Sequence, residues 1–137
     1  MTMAIVVGFV PSPEGRAALT RAIEEARLRG RRLIVLNASR GDALVDSRYA
    51  SSSDWDAVKT QLEESGVEHE VTQHVEAKDP ADQILKVAAQ TNAELIVIGL
   101  RRRTPVGKLI MGSAAQTILL EADAPVLSVK AAREDEK

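Results

Sequence analysis

Three short apolar runs, rich in β-branched residues, place the strongest limit on what this chain can fold into. The runs are residues 4–10, 33–36 and 95–98, and no charged side chain interrupts any of them. Such runs are typical of parallel strands that helices cover on both faces, because neither face of the strand meets water. We therefore predict an α/β fold built on a buried parallel sheet.

Four helical patterns alternate with the strands. The first has Ser12 as its predicted N-cap and Pro13 at its first helical position, which is the preferred place for proline in a helix. The other three are predicted to begin at Asp54, at Asp79–Pro80 and at Gly112–Ser113. Strict alternation of strands and helices indicates right-handed crossovers, which place helices on both faces of the sheet.

Two further strands complete the predicted sheet. Residues 67–76 alternate between valines and acids, as expected for a half-exposed edge strand, and residues 125–130 form a short last strand. With the alternating strand at one margin, the five strands take the order 3-2-1-4-5. Ligands bind such sheets where the winding reverses, beyond the carboxyl ends of strands 1 and 4. We expect one domain over residues 1–131 and a disordered charged tail at 132–137.

Composition disfavours several classes of function. The chain has no cysteine, which excludes disulfides, thiolate nucleophiles and cysteine metal sites and favours a cytoplasmic location. Aromatic residues make up 2% of the chain, and 18 Lys and Arg are balanced by 20 Asp and Glu, so nucleic-acid binding is not expected. No apolar run approaches the roughly 20 residues that span a bilayer. We expect a soluble cytoplasmic protein that binds neither nucleic acid nor membranes.

The segment after the fourth strand concentrates positive charge at the predicted ligand edge. Arg101–Arg103 and Lys108 lie close together, and Gly99 lets a ligand approach the backbone. Gly112–Ser113 begin the last helix, where free amides, a hydroxyl and the helix dipole suit phosphate. The same residues also fit a structural role, with Ser113 as an N-cap, glycines that permit turns and arginines in a solvated loop. The pattern is neither a Walker A motif nor a dinucleotide-binding glycine motif.

The spacing of these residues resembles a family signature. This segment is similar to the G-x2-G-x9-G-S/T motif of the universal stress protein family. Gly99 takes the place of the first glycine, position 102 that of the second, and Gly112–Ser113 the place of the final pair. The start IVVGF and the finish APVLSVK are also similar to that family, so the resemblance covers residues 4–130. It implies a Rossmann-like fold of the adenine nucleotide alpha hydrolase type.

Two departures from the family pattern concern the ligand. Position 102 is Arg where the ATP-binding pattern has Gly, and its guanidinium could clamp phosphate oxygens. The first strand ends in Val10–Pro11 where the family usually offers an Asp to the adenosine. The resemblance places the adenine near Val10 and Asn37–Ala38, and the phosphates at Gly112–Ser113. By this resemblance the nucleotide-binding residues are Val10, Pro11, Asn37, Ala38, Gly99, Arg101, Arg102, Gly112, Ser113 and Ala114.

Two functions of different class follow from the resemblance. The first is a stress-response regulator that binds an adenine nucleotide, either ATP alone or ATP with Mg²⁺, without efficient turnover. The second is a dimeric interaction or regulatory protein of the branch that does not bind nucleotides. In both, the apolar edge of the fifth strand predicts a homodimer through Val126, Leu127 and Val129.

A slow ATPase or phosphotransferase is a third alternative. His69 and His74 lie on opposite faces of the predicted edge strand, away from the carboxyl ends of the central strands. They therefore provide neither a paired metal site nor a general base at the ligand edge. We predict no catalytic residues and no metal ligands.

Overall fold

A parallel sheet of five strands, with one short antiparallel strand added, organises the structure. This computed structural model describes residues 3–39, 50–75, 79–103, 108–110 and 112–131, so the predicted tail lies outside the described residues. In chain order the elements are β1 (Ala4–Gly8), α1 (Pro13–Arg29), β2 (Arg32–Ser39), α2 (Ser52–Ser65), β3 (His69–Val75), α3 (Pro80–Gln90), β4 (Ala93–Arg103), β5 (Lys108–Ile110), α4 (Ser113–Glu121) and β6 (Val126–Lys130).

The strand order confirms the predicted topology. Strands β3, β2, β1, β4 and β6 are parallel neighbours in that order, so the predicted fifth strand is β6. Helices α1 and α2 cover one face of the sheet, and α3 and α4 cover the other. Since β1 and β4 are adjacent at the centre, the winding reverses between them, at the predicted ligand edge.

A short antiparallel strand corrects the prediction of a loop after the fourth strand. Strand β4 continues through Arg101–Arg103, which pair with Lys108–Ile110 of β5. The apolar run that marks β4 in the sequence ends at Ile98. After Leu100 the strand continues through three arginines, so this part of β4 has no apolar run that would predict it. Residues 104–107, which join the two strands, lie outside the described part of the chain.

Alternating side chains of the central strands fill two aliphatic cores. Val7 and Val97 pack beneath α1 and α2, whereas Val6, Ile34 and Ile96 pack beneath α3 and α4. All five are at most 3% exposed. Complete burial of such a side chain stabilises the fold by about 1.5–3 kcal/mol. Burial on both faces explains why these runs show no alternation of polar residues.

The helix starts agree with the predicted caps, except at α2. Ser12 and Asp79 cap α1 and α3 by accepting a hydrogen bond from a first-turn amide. At α2 the N-cap is Ser51, and the carboxylate of Asp54 accepts a 2.8 Å hydrogen bond from the Ser51 amide. The prediction of Asp54 as the N-cap is therefore wrong. Asp54 occupies the third helical position, where its carboxylate reaches back to complete a capping box.

Candidate functional site

A cleft of about 420 Å³ opens at the ends of β1 and β2, beside Ile98–Arg101 of β4 and between the starts of α1 and α4. It lies at the switch point between β1 and β4, where sheets of this type bind ligands. Eight residues that the sequence predicted for the site line the cleft: Val10, Pro11, Ala38, Gly99, Arg101, Gly112, Ser113 and Ala114. The fold thus brings together residues from four separate stretches of the chain.

Asn37, also predicted for the site, directs its side chain away from the cleft. Both of its neighbours in β2 line the cleft, and since side chains alternate along a strand, Asn37 projects to the other face, where it is fully buried. Its side-chain nitrogen donates to the carbonyl of Phe9 at 2.9 Å, and its side-chain oxygen accepts from the amide of Ala50 at 3.1 Å. The side chain therefore fixes the chain one residue before Val10.

One wall of the cleft is aliphatic. Leu36 and Ile98 come from the sheet, Pro80 and Ile84 from α3, and Ile118 from α4. The sequence pattern assigned such residues to the core and did not predict them for the site, because an apolar stripe does not reveal which of its members border a cavity. An aliphatic wall next to a polar helix start suits a ligand with a flat ring and an anionic group.

Gly99 is required by packing at the edge of the cleft. A Cβ atom at this position would overlap the backbone carbonyl of Glu14, in the first turn of α1. Gly15 is required for a similar reason, because its Cβ would overlap the carbonyl of Val10. These two close approaches set the first turn of α1 directly against β4 and the segment that follows β1. The sequence predicted that a ligand approaches Gly99. In the structure, the backbone of α1 is in contact with Gly99.

Gly112 has no such structural requirement. It is the N-cap of α4 with φ −70° and ψ 163°, which is ordinary extended backbone, and a Cβ there would meet no atom of the described residues within 4 Å. Ser113 is the first residue of α4 and not its N-cap, so no side chain at the cap position binds the first-turn amides. A helix start with free amides attracts anions. Within the described residues, this end of the cleft is therefore open both sterically and in its hydrogen bonding.

Arg101 and Glu14 are the charged side chains that line the cleft within the described residues. Arg101 Nε lies 3.6 Å from Glu14 Oε1, and the Arg101 side chain is 70% exposed. An ion pair of this length with so much water around one partner is weak. The guanidinium is therefore free to turn towards an anion in the cleft. The side chain of Arg102 lies outside the described residues, and its backbone pairs with Leu109.

Metal clusters and membrane-spanning helices are both absent from the part of the chain that the structure describes. Among the residues that the structure describes, no three His, Asp or Glu side chains come together as metal ligands. The His69 ring nitrogen Nδ1 lies 2.7 Å from the carbonyl of Val67, at the edge of the sheet. No helix within the described ranges is long and apolar enough to cross a membrane.

Comparison with known proteins gives consistent results. The sequence profile of the Universal stress protein family matches residues 1–130. A universal stress protein of Mycolicibacterium smegmatis is 48% identical over 126 residues, which cover 92% of this chain and 96% of that protein.

Solved structures show the same fold. A universal stress protein from Archaeoglobus fulgidus superposes with a TM-score of 0.73 at 31% sequence identity, covering 95% of this chain and 99% of that one. A structure of the universal stress protein from the same organism in complex with dAMP has a TM-score of 0.67 at 27% identity, covering 95% and 98% of the two chains. The family profile matches residues 1–130, and the relatives match nearly the whole chain. The chain therefore belongs to the universal stress protein family.

Proposed function

We propose that this protein binds an adenine nucleotide, ATP among them, in the cleft between β1, β4 and α4, as a stress-response regulator without efficient turnover. The observation that carries the proposal is the aliphatic wall beside a helix start with an unobstructed glycine and no side-chain cap. A nucleotide has the matching form, with a flat base at one end and an anion at the other. The similar Archaeoglobus structure in complex with dAMP supports this choice of ligand.

The two ends of the cleft imply one orientation. The base would pack on Leu36, Ile84 and Ile98, while the phosphates would meet the amides at Gly112–Ser113 and the guanidinium of Arg101. Any Mg²⁺ that accompanies ATP would depend mainly on phosphate oxygens and water, since the described lining offers a single carboxylate.

The test is direct. Freshly purified protein is denatured, any released nucleotide is identified, and ligand-free protein is then titrated with ATP, ADP and AMP by calorimetry. We expect an adenine nucleotide to be retained or to bind with micromolar affinity. No retained nucleotide, together with no binding below about 1 mM for all three ligands, would contradict the proposal.

A dimeric interaction protein is the second candidate, and one surface favours it. Strand β6 bonds to β4 on one side, no described strand lies on its other side, and Leu119 and Leu120 are exposed nearby in the sequence, the latter at 85%. An open edge of this kind invites pairing with another chain. We propose a cytoplasmic homodimer through the β6 edge at Val126, Leu127 and Val129, with or without a nucleotide. Failure of the titration together with a stable dimer would favour this candidate.

A further inference from the structure

Among the residues that the structure describes, none donates a hydrogen bond to the carboxylate of Glu14. Its side chain lines the cleft and is only 12% exposed. Within the described residues its charged partner is Arg101, at 3.6 Å, beyond hydrogen-bond distance, and no hydrogen bond to the carboxylate is present. A carboxylate on a side chain this buried gains more from a hydrogen-bond donor than one in open water does. A ligand that supplies donors at this point would therefore be stabilised.

The chemistry of a nucleotide limits which of its groups can do so. Phosphate oxygens are negative acceptors, so a carboxylate repels them and accepts no hydrogen bond from them. The groups of an adenine nucleotide that donate are the amino group of the base and the hydroxyls of the ribose. Glu14 can therefore accept a hydrogen bond either from the amino group of the base or from the ribose hydroxyls.

The position of Glu14 in the cleft favours the ribose. The aliphatic wall includes Leu36 of β2 and Ile98 of β4, and the start of α4 at Gly112 lines the same cleft. Glu14 lines the same cleft, and its backbone is packed against Gly99 of β4, the residue after Ile98 of the wall. In any nucleotide the sugar joins the base to the phosphates. A nucleotide with its base on the wall and its phosphates at α4 therefore places its sugar beside Glu14.

We infer that Glu14 accepts hydrogen bonds from the ribose 2′- and 3′-hydroxyls, so that the cleft selects ribonucleotides. The inference rests on the proposed function, since it assumes that a nucleotide occupies the cleft. Hydrogen bonds to a charged acceptor change affinity by roughly ten- to a hundredfold. Removing both hydroxyls should therefore weaken binding by at least about tenfold, and dAMP, which keeps the 3′-hydroxyl, should fall between AMP and 2′,3′-dideoxy-AMP.

The experiment measures the affinities of AMP and 2′,3′-dideoxy-AMP by calorimetry in the presence of EDTA, which removes any contribution from a metal. The variants are Glu14→Ala, Glu14→Gln and, as a matched control, Glu24→Ala, which removes an exposed acid of the same helix outside the cleft. We expect the wild type and the control to prefer AMP by at least about tenfold, and Glu14→Ala to show no preference. Glu14→Gln keeps an acceptor oxygen at the same place and should retain part of the preference.

Three outcomes would overturn the inference. If the wild type binds both ligands equally, nucleotide binding stands and Glu14 does not contact the ribose. If Glu14→Ala gains affinity for both ligands in parallel, Glu14 is only a charge that repels phosphate. If no adenine nucleotide binds, the proposed function fails, and the inference fails with it.

Discussion

The two glycines that flank the cleft have different roles, although they belong to one sequence motif. Gly99 is in close contact with the Glu14 backbone, whereas no described atom lies within 4 Å of a Cβ built at Gly112, at the start of α4. A substitution at the first should therefore act on stability, and one at the second on the ligand.

The paired variants Gly99→Ala and Gly112→Ser test this difference. We expect Gly99→Ala to lower the free energy of unfolding by about 1–3 kcal/mol, because the added methyl group forces α1 away from β4. Gly112→Ser should change stability by no more than about 0.5 kcal/mol, since serine is at least as good an N-cap as glycine. Its hydroxyl should occupy first-turn amides and weaken nucleotide binding.

Urea unfolding and nucleotide titration of both variants measure these effects. Unchanged stability in Gly99→Ala would show that α1 can shift at no cost, contrary to the packing argument. Unchanged affinity in Gly112→Ser would show that the phosphates do not reach the start of α4.

Asn37 shows where prediction from the sequence ends at the level of single residues. A polar residue directly after the apolar run at 33–36 is visible in the sequence, at the place where a ligand is expected. Its partners, the carbonyl of Phe9 and the amide of Ala50, are distant in sequence and become neighbours only through the sheet. Side chains alternate along a strand, so Asn37 and Ala38 must face opposite sides of the sheet. This alternation could have predicted that only one of the two side chains faces the cleft.

Among the elements, the outer strand β6 offers a defined hydrogen-bonding edge. The amide of Ile96 donates to the carbonyl of Pro125 at 3.0 Å, which directs the backbone of Pro125 towards β4. Because backbone groups alternate between the two sides of a parallel strand, the N–H of Ser128 points away from β4. Removing that N–H therefore leaves the pairing with β4 intact.

Ser128→Pro tests the proposed dimer through this edge. We expect the variant to sediment as a monomer at a protein concentration at which the wild type is dimeric, because proline removes one outward donor and blocks close approach. Ser128→Ala is the control and should remain dimeric. A monomeric wild type, or a Ser128→Pro variant that still dimerises and keeps its fold, would exclude the β6 edge as the interface.

The elements themselves were predictable to different degrees. The three apolar runs, the Ser12–Pro13 and Asp79–Pro80 helix starts and the alternation near Val71 carry local signals, and each predicted element is present. Strand β5 has three residues and begins with Lys108, and its only described partner is the arginine-rich end of β4. No periodicity can arise over so short a segment, so the β4 extension had no hydrophobic signal either.

At the scale of the whole molecule, the edge of the sheet opposite the cleft is held by ion pairs. Arg29, at the end of α1, contacts Glu25 at 3.1 Å and Glu94 at 2.7 Å, and Arg31 contacts Glu94 at 2.7 Å. The hydrogen bonds from Arg29 and then from Arg31 hold the pKa of Glu94 below its ordinary value. The hydrogen bond between Arg29 and Glu94, and to a smaller extent the one between Arg29 and Glu25, raises the pKa of Arg29. This network links α1 to the starts of β2 and β4.

The acid sensitivity of the fold should depend on Glu94. Because the folded pKa of Glu94 lies below the unfolded one, its stabilising contribution is present above the unfolded pKa and is lost as the pH falls through the folded pKa. We expect Glu94→Gln to be less stable than the wild type at about pH 6, and the difference to shrink towards about pH 3. Urea unfolding across this range measures it.

Glu64→Gln provides the control, since it neutralises an exposed acid of α2. It should show no comparable pH-dependent difference. A Glu94→Gln deficit that stays constant down to about pH 3 would mean that the side chain acts through packing and not through its charge.

The contact between Gly99 and Glu14 bears on how the family signature is used to annotate other sequences. A relative that has lost its ligand still has to pack α1 against β4, so selection for folding alone would preserve a glycine at the position of Gly99. Gly112 is under no such demand, and a larger residue there costs the fold little. In surveys of related sequences, the residue at the start of the last helix should therefore be the better marker of a ligand-binding member.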